Sequence, residues 1–529
     1  MNSRPHSIHT FMWPFRWSAE KKNGNDLLES FSKYLLKDTT WKEVEFKLSN
    51  SQHYNEYVYY HSHVRNTLFA YNDNKDIVRF FEYELQKDAV FEFEVITKVN
   101  NNGDIENKKT FKLAIKGISL HLFFTGVGIL TFQLEYNDDN TTVEDIQLIN
   151  DFGRRTYPQF LGANANENYN GLNATNRAFL PTYVKTSYCN EIETFESYTQ
   201  YKNASLQEIV QPPAYIKALF CNDFVFNEIT NPDKEKITIT HLTDDRMFTL
   251  CWYSDDSLSN ELKDIWDQKY NYLNSKKWYE LIFCDKSGNL TCQSDLMLEE
   301  HIKRYTYDRW VNYGTLYGIT RDCLFCLTDE GDFARDTVLP HIQSIYYQMA
   351  IICLAQRASV QKISYDLTQI LKSLDGNQLN SAQIDQAVSI QAMYLKFNNL
   401  LYFKEVTDQI QGIEMYQKMQ ESMAIQGITD QLDREIEELH SLLNMNASLE
   451  LSKEANLISF IATYFVPASF VVGVMALFSD NLNFSDDFSQ GKFKAILVLV
   501  VTAIALLFMG KAIIKNMIKM VKKYKKNVV

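Results

Sequence analysis

Two apolar segments near the C-terminus constrain the fold of this chain more than any other feature. Leu457 to Phe478 contains 22 residues without a charged side chain, about 33 Å as a helix, which is enough to cross the hydrocarbon core of a bilayer. The second segment, Ala495 to Gly510, has 16 residues and reaches spanning length if Lys494 and Lys511 extend outward from its ends. The pattern predicts two transmembrane helices joined by a short loop.

The charges beside these segments predict their orientation. Seven lysines and no acidic residue follow Gly510, whereas the loop 479–494 carries three aspartates against two lysines. Lysine-rich flanks mark the cytoplasmic side of a membrane. We therefore expect both termini inside the cell and the loop outside. Met1 to Glu20 contains no continuous apolar stretch, so no signal peptide is expected. In a bacterium the membrane would be the inner one.

Composition argues against several classes of function. The net charge of −13 disfavours direct nucleic-acid binding. The eight cysteines are dispersed, as is typical of thiols in a reducing compartment. The closest pair, Cys323 and Cys326, lies in an apolar run and is expected in a core strand rather than at a metal.

Two histidines are candidate metal ligands. His61 and His63 share one face of an expected strand, Tyr57 to Val64, but the sequence offers no third ligand beside them. The chain also contains no phosphate-binding glycine motif and no convincing catalytic triad. We therefore expect no enzyme activity, no cofactor and no bound metal.

The patterning before the apolar segments changes near residue 330. Strand signals dominate the first part, with alternating residues at Phe91 to Val99, Ile237 to Tyr253 and Trp278 to Cys292, and a surface loop at Asn164 to Asn176. Helical spacing dominates the second part, from Thr337 to Leu371 and again from Ser381 onward. With no proline before Pro467, the second run predicts a continuous helix of about 145 Å from Ser381 to Phe478.

The predicted fold class is α+β. Its parts are a large mixed α/β cytoplasmic domain (1–330), a long antiparallel helical stalk (331–456), a pore-lining transmembrane helix (457–478), an external loop (479–494), a second transmembrane helix (495–515) and a basic cytoplasmic tail (516–529).

The run from Ile458 to Gly473, in which Pro467 is followed six residues later by glycine, resembles the first transmembrane helix of the CorA family of divalent-metal transporters. The resemblance extends over the stalk and both apolar segments. CorA proteins are homopentamers in which the first span of each subunit lines a central pore, so the resemblance implies the same assembly here. At helical spacing, the residues implied to face the lumen are Ser452, Ala455, Ile458, Ala462, Val466, Ser469 and Gly473.

The chain departs from that family at the outer end of this helix. The family has Gly-Met-Asn there, whereas this chain has Ala476, Leu477 and Phe478. An apolar mouth offers no oxygen ligands for hydrated Mg²⁺, which loses its water reluctantly. We expect Ile458, Ala462 and Val466 to form an apolar constriction that gates by dewetting.

A second resemblance involves the soluble part. The segments Ile118 to Leu130 and Asp151 to Pro158 resemble the CorA-like membrane effectors encoded beside type III CRISPR systems. In that group the cytoplasmic domain is thought to bind a nucleotide second messenger, S-adenosylmethionine joined to AMP, which opens the pore and damages the membrane of an infected cell.

Four residues are candidates for such a ligand. Arg154 and Arg155 follow Gly153 and suit a phosphate, because guanidinium groups match phosphate oxygens in pairs. Asp223, in an apolar run, could face the cationic sulfonium or amino group, and Trp310 could stack on a base. The alternatives are an arginine pair held by salt bridges, a carboxylate in a structural hydrogen bond and a core tryptophan.

The two resemblances thus imply a homopentameric, messenger-gated ion channel in the inner membrane. Its expected partners are further copies of the same chain, the lipid bilayer and the messenger. The alternative is a divalent-cation (Mg²⁺/Co²⁺) transporter of the ordinary CorA family. A third possibility is a membrane-anchored scaffold without conductance.

Overall fold

A computed structural model describes residues 6–19, 25–37, 40–69, 75–100, 105–158, 180–189, 192–198, 210–227, 236–263, 270–286, 290–372, 379–479 and 500. The described residues divide into two compact units. The first draws on Met1–Leu374 and Asn380–Glu437, and the second on Asp375–Leu379 and Glu438–Val529.

The strands are β1 (Ser7–Ser18), β2 (Trp41–Glu43), β3 (Val78–Tyr83), β4 (Val90–Val99), β5 (Ile105–Phe123), β6 (Val127–Tyr136), β7 (Tyr183–Cys189), β8 (Ile192–Ser197), β9 (Phe224–Phe226), β10 (Ile237–His241), β11 (Phe248–Ser254), β12 (Thr306–Tyr307), β13 (Leu316–Ile319) and β14 (Cys323–Thr328). The helices are α1 (Asn25–Leu35), α2 (Ser51–Tyr59), α3 (Ser62–Phe69), α4 (Val143–Gly153), α5 (Ala214–Lys217), α6 (Asp256–Leu262), α7 (Lys276–Phe283), α8 (Asp295–Tyr305), α9 (Ala334–Lys372), α10 (Ser381–Leu400), α11 (Ile410–Ser422) and α12 (Ile425–Ser479).

The strands form one large sheet in the first unit. Its main path runs β12-β13-β14-β11-β1-β6-β5-β4-β7-β8, with β10 beside β1, β9 beside β10, β3 beside β5 and β2 beside β3. The pairs are antiparallel except β11 with β14 and β9 with β10, which are parallel. The α+β class and the large sheet expected from the sequence are therefore confirmed.

Strand β1 lies in the interior of the sheet and is buried on both faces. Ile8 and Met12 belong to the core that contains α9, whereas Phe11 and Trp13 belong to the core that contains α1. Because neighbouring side chains of a strand point to opposite faces, helices cover this sheet on both sides.

Pro14 sits in β1 where the pairing partner changes. Along one of its two edges, β1 pairs with β11 from Ser7 to Met12 and then with β10 from Phe15 to Ser18. Proline has no N–H to donate to a ladder, so a change of partner is a position that tolerates it.

Several strand predictions are confirmed. Phe91 to Val99 lies in β4, and Ile237 to Tyr253 contains β10 and β11. Cys323 and Cys326 lie in β14 with no exposed surface, as expected for a core strand. The predicted loop Asn164 to Asn176 lies outside the described residues.

Two segments predicted as strands are helical. Of Trp278 to Cys292, the residues up to Phe283 lie in helix α7. Ser275 caps this helix, since its hydroxyl accepts from Trp278 N (3.2 Å), and α7 buries Trp278 and Ile282 on one face at helical spacing. Tyr57 to Val64 spans the end of α2 and the start of α3. Residues two apart lie on opposite sides of a helix, but a run of eight residues is too short for its pattern to separate a strand from two short helices.

The continuous helix expected from Ser381 to Phe478 is interrupted twice. Between α10 and α11, Val406 O accepts from His61 N (2.9 Å) and Leu401 O accepts from the Gln356 amide (2.9 Å). These tertiary hydrogen bonds, with Phe403 and Val406 buried, replace helical ones. Between α11 and α12, Ala424 adopts a left-handed conformation with φ 53°, which ends α11.

The helices that follow the sheet in the chain are therefore divided between the units. Helices α9, α10 and α11 and the start of α12 belong to the first unit, and the remainder of α12 belongs to the second. Of the region expected as a stalk, a large part packs within the sheet domain. In particular, residues from Ile342 to Ile363 of α9 belong to its core.

Candidate functional site

Arg155 lies just after α4 and is held by two carboxylates. Its Nη1 is 2.5 Å from Asp245 Oδ2, and its Nη2 is 2.9 Å from Asp151 Oδ1. Burial lowers the pKa of the guanidinium, but the two carboxylates outweigh burial and the pKa is raised. Arg155 therefore already has charge partners inside the protein, which corresponds to the salt-bridged alternative for this arginine pair.

Arg154 is equally buried, with 2% of its surface exposed, but its contacts differ. Its Nε and Nη1 find no hydrogen-bond partner among the described residues. It lies near buried thiols: a hydrogen bond with Cys323 lowers the pKa of Cys284 against the effect of burial, and the charge of Arg154 adds to the lowering. Arg154 thus keeps donor capacity that Arg155 does not.

Asp223 lies at the surface, although its neighbours in the sequence are apolar. Its side chain is 35% exposed, and its Oδ2 lies 2.7 Å from Lys37 Nζ in a surface ion pair. The apolar residues Phe220 and Phe224 point into the core, whereas Asp223 lies in a turn before β9.

Trp310 belongs to a group of packed aromatic rings. Its ring centroid is 5.6 Å from Tyr307 and 5.8 Å from Tyr317, and Tyr317 is 5.7 Å from Tyr346. The indole is half-buried, so it belongs partly to the core, as the alternative interpretation expected, and partly to a surface cavity.

That cavity has a volume of about 600 Å³, and we call it the aromatic–acidic cavity. Its walls include Trp310, Tyr313, Tyr317 and Phe333, together with the carboxylates of Asp329 and Asp332. Tyr313 and Phe333 are 77% and 73% exposed, which is unusual for large aromatic side chains. No lysine or arginine is among the described residues that line it.

The position of the cavity follows from the sheet. Strands β11 and β14 are parallel and end together at Ser254 and Thr328, so the segments that follow them meet at one edge. Ser254 Oγ donates to Asp329 O (2.9 Å), and Glu330 N donates to Asp256 Oδ1 (2.8 Å). Crevices at the carboxyl ends of parallel strands are common ligand sites.

The other wall of the cavity is the start of α9, which has an irregular helical geometry. Ala334–Val338 and Ile342–Tyr346 are π-helical, a rare conformation that is frequent at functional sites. His341, between these segments, lines the cavity, and burial lowers its pKa below the ordinary value, so it is neutral near pH 7. The site therefore has a negative balance of charge.

The sequence predicted one residue of this cavity and missed the rest. The structure brings Trp310 to it, but none of Arg154, Arg155 and Asp223 lines it. Asp329 and Asp332 directly follow the buried strand β14 and precede a helix. This local pattern is a signal for a site at a sheet edge, although it is a weak one.

The predicted pore-lining residues all lie on α12. In the described part of this helix they are exposed at every position: Ser452, Ala455, Ile458, Ala462, Val466, Ser469 and Gly473. Pro467 lies inside the helix, and Ser469 Oγ donates to Val466 O (3.0 Å) one turn earlier. The backbone is helical at Ala476, Leu477 and Phe478, but the structure does not describe the side chains of these three residues. The second predicted span, apart from Val500, lies outside the described residues.

Between Leu457 and Phe470, apolar side chains lie on all sides of α12. Seven large apolar side chains on it are between 45% and 68% exposed: Leu457, Ile458, Phe460, Ile461, Phe465, Val466 and Phe470. At about 100° per residue, these positions are distributed over all sides of the helix. Nothing in the described residues covers them.

One helix in the described part of the chain, Ala334–Lys372, is long and apolar enough to cross a membrane. Its most apolar stretch is 78% buried within the protein, so it matches the core helix of a globular domain equally well.

The described residues contain no group of three or more histidines, cysteines or carboxylates that could hold a metal. His61 and His63 stack at 5.5 Å, and His61 lies 3.6 Å from Asp408.

The sequence matches no protein-family description and no curated protein.

Proposed function

We propose that the protein is a homopentameric ion channel of CorA type, opened by a nucleotide second messenger of the S-adenosylmethionine–AMP class, and that it acts as a CRISPR-associated effector that permeabilises the inner membrane. The observation that carries the proposal is the uncovered apolar surface around all sides of α12 between Leu457 and Phe470. A helix that is apolar all round is stable only inside a large protein or inside a bilayer.

An oligomer is required for conduction. Two transmembrane helices enclose no lumen, so several copies must place α12 around one axis, and closed cyclic symmetry is the usual arrangement. Pentameric assembly follows from the resemblance to CorA proteins. Within such a ring, Ile458, Ala462 and Val466 would form the apolar constriction that excludes water in the closed state.

Gating follows from linkage between the ligand and the two states of the channel. A messenger that binds the open state better than the closed state shifts the population toward conduction. A shift from 1:99 to 99:1 requires about 5.5 kcal/mol of differential affinity, which five sites would share at roughly 1 kcal/mol each.

Reconstitution tests the proposal directly. Full-length protein in liposomes should release a trapped monovalent ion when the S-adenosylmethionine–AMP conjugate is added. It should not release the ion with AMP alone or with S-adenosylmethionine alone at the same concentration. Protein-free liposomes serve as the control for leakage caused by the compound.

Other outcomes would point to the rival functions. Uptake of Mg²⁺ driven by external Mg²⁺ without any messenger would identify an ordinary divalent-cation transporter. A complete lack of flux with the conjugate, from a complex that is intact in detergent, would favour a scaffold and would contradict the channel.

A further inference from the structure

The aromatic–acidic cavity combines two chemical features that rarely occur together on a protein surface. Five aromatic rings contribute to its walls, those of Trp310, Tyr313, Tyr317, Phe333 and Tyr346. Asp329 and Asp332 also line the space, and no lysine or arginine among the described residues does so. The cavity therefore offers π-faces and negative charge to whatever enters it.

This combination selects against anions and for organic cations. A phosphate would meet two carboxylates and no guanidinium or ammonium partner. A cation with an apolar shell gains from ring faces within about 6 Å, and this attraction is strongest for tryptophan and is the basis of aromatic cages for onium groups. Neutral His341 adds no opposing charge.

The volume of the cavity narrows the class of ligand further. About 600 Å³ lies within the roughly 300–1,000 Å³ typical of small-molecule sites, and it exceeds the needs of a bare metal ion or a methylammonium group. The side chains of Thr315 and Gln411 add neutral hydrogen-bonding groups, suited to the polar edge of a flat ring. A cation attached to a planar, hydrogen-bonding ring system fits these properties.

We propose that the aromatic–acidic cavity binds an organic cation carried beside a planar ring system, of the adenosylsulfonium class, with the cation between the aromatic rings and the carboxylates. The choice of adenosylsulfonium among such cations rests on the proposed function, whereas the preference for a cation does not.

A pair of ligands that differ in one charge tests the proposal. S-adenosylmethionine carries a sulfonium, and S-adenosylhomocysteine has the same adenosine and amino acid with a neutral thioether. By calorimetry on the full-length protein in detergent, S-adenosylmethionine should bind about tenfold more tightly, the ratio that roughly 1.4 kcal/mol of cation–π and charge interaction produces. Equal affinities, or no binding of either compound, would overturn the proposal.

Variants then locate the site. Phe333→Leu keeps apolar volume but removes the ring, and its exposure makes a folding defect unexpected; it should weaken S-adenosylmethionine binding about fivefold. The matched control is Phe195→Leu, since Phe195 is an aromatic residue on β8 that is 60% exposed and outside the cavity.

Asp332→Asn should lower the affinity for S-adenosylmethionine, which carries the sulfonium, and should leave the affinity for the neutral thioether unchanged. Its control is Asp336→Asn, an exposed acid four residues later, in α9, that does not line the cavity.

The failure of this proposal can be separated from failure of the channel. If the conjugate drives ion flux but the two adenosyl compounds bind equally, the cation site is wrong and the channel stands. If the sulfonium preference and its loss in Asp332→Asn are found but no ligand produces flux, the cavity stands and the channel does not. If neither compound binds and Phe333→Leu dissociates the oligomer, the cavity is a subunit contact and the proposal falls.

Discussion

The side chain of Arg155 joins α4 to the segment before β11 through two buried carboxylates, Asp151 and Asp245. Replacement by methionine would fill a similar volume but would leave both carboxylates without their cation. Removing one partner of a buried ion pair typically costs about 3–5 kcal/mol. We therefore expect Arg155→Met to lower the free energy of unfolding by about that amount, measured by denaturant unfolding of the full-length protein in detergent.

The surface pair formed by Lys37 and Asp223 provides the comparison for Arg155. Lys37→Met should leave the unfolding midpoint unchanged, because exposed ion pairs contribute little. Equal free energies of unfolding for Arg155→Met and Lys37→Met would mean that the buried ion pairs of Arg155 do not stabilise the fold. The comparison also bears on ligand binding, since loss of binding in an Arg155 variant would first reflect loss of structure.

His9 is a second buried polar residue with a measurable consequence. Burial lowers its pKa to about 4, although its hydrogen bond to Asn150 opposes that effect. Its ring nitrogens lie 2.7 Å from Asn150 Oδ1 and 2.9 Å from Ser7 Oγ. In the unfolded chain the pKa returns to its ordinary value of about 6.5.

The sign of the pH dependence follows from these two pKa values. Below pH 6.5 the unfolded chain binds a proton that folded His9 does not, so stability is lost as the pH falls from 6.5 to about 4. At 1.36 kcal/mol per pH unit the loss is about 3 kcal/mol. His9→Gln, which does not titrate, should lose correspondingly less stability over that interval. The free energy of unfolding of both proteins is measured with denaturant at pH 6.5, 5.5 and 4.5. If His9→Gln loses as much stability over this interval as the wild type does, His9 is not the cause.

At the scale of elements, helix α11 is attached to the rim of the aromatic–acidic cavity. Glu414 on α11 accepts from Arg309 at 2.8 and 2.9 Å and from the hydroxyl of Tyr307, whose ring packs against Trp310. Gln411 on the same helix lines the cavity. The turn at Ala424 then leads from α11 into α12.

This attachment leads to a prediction about gating. Glu414→Gln should weaken the contact between the cavity wall and α11 without removing a lining residue. The concentration of conjugate for half-maximal ion flux should rise about fivefold to tenfold, the lower part of the range that an allosteric coupling of about 1–3 kcal/mol produces. The affinity for S-adenosylmethionine should change less than twofold. Glu421→Gln, on the same helix but paired with Arg304, is the control. Equal effects of both variants on flux would remove the assigned role of Glu414.

The interrupted helices show which parts of the fold the sequence could predict. Strand β4 and the helical character of α9 followed from local periodicity. Alternate residues of β4 are buried, and apolar residues of α9 recur at helical spacing, although residues 349–356 of α9 are buried on every side. The break at Leu401 did not, because it depends on hydrogen bonds from Gln356 and His61, which are remote in sequence. The aromatic–acidic cavity is assembled from residues 310–317, 329–346 and Gln411, which are separated in the sequence. Because local patterns do not show that these segments meet, only Trp310 was proposed from the sequence.

At the scale of the whole molecule, α12 differs in chemistry along its length. Near its start Leu432 and Leu439 are buried, whereas the large apolar side chains from Leu457 to Phe470 are exposed. One helix thus contributes residues to both compact units. A change from one-sided burial to all-round apolar exposure is what a helix requires to leave a globular domain and enter lipid.

The proposed constriction gives the sharpest prediction at this scale. Val466→Ser would place a ring of hydroxyl groups where the closed state is proposed to exclude water, and a wetted constriction conducts. We expect this variant to release trapped ions from liposomes without any messenger, at a rate at least tenfold above that of the wild type. Phe460→Ser is the matched control, because at about 100° per residue it lies on the side of α12 opposite Ala462. If both variants leak equally, a general packing defect explains the flux; if neither leaks, while both insert and assemble as the wild type does, Val466 does not border the pore.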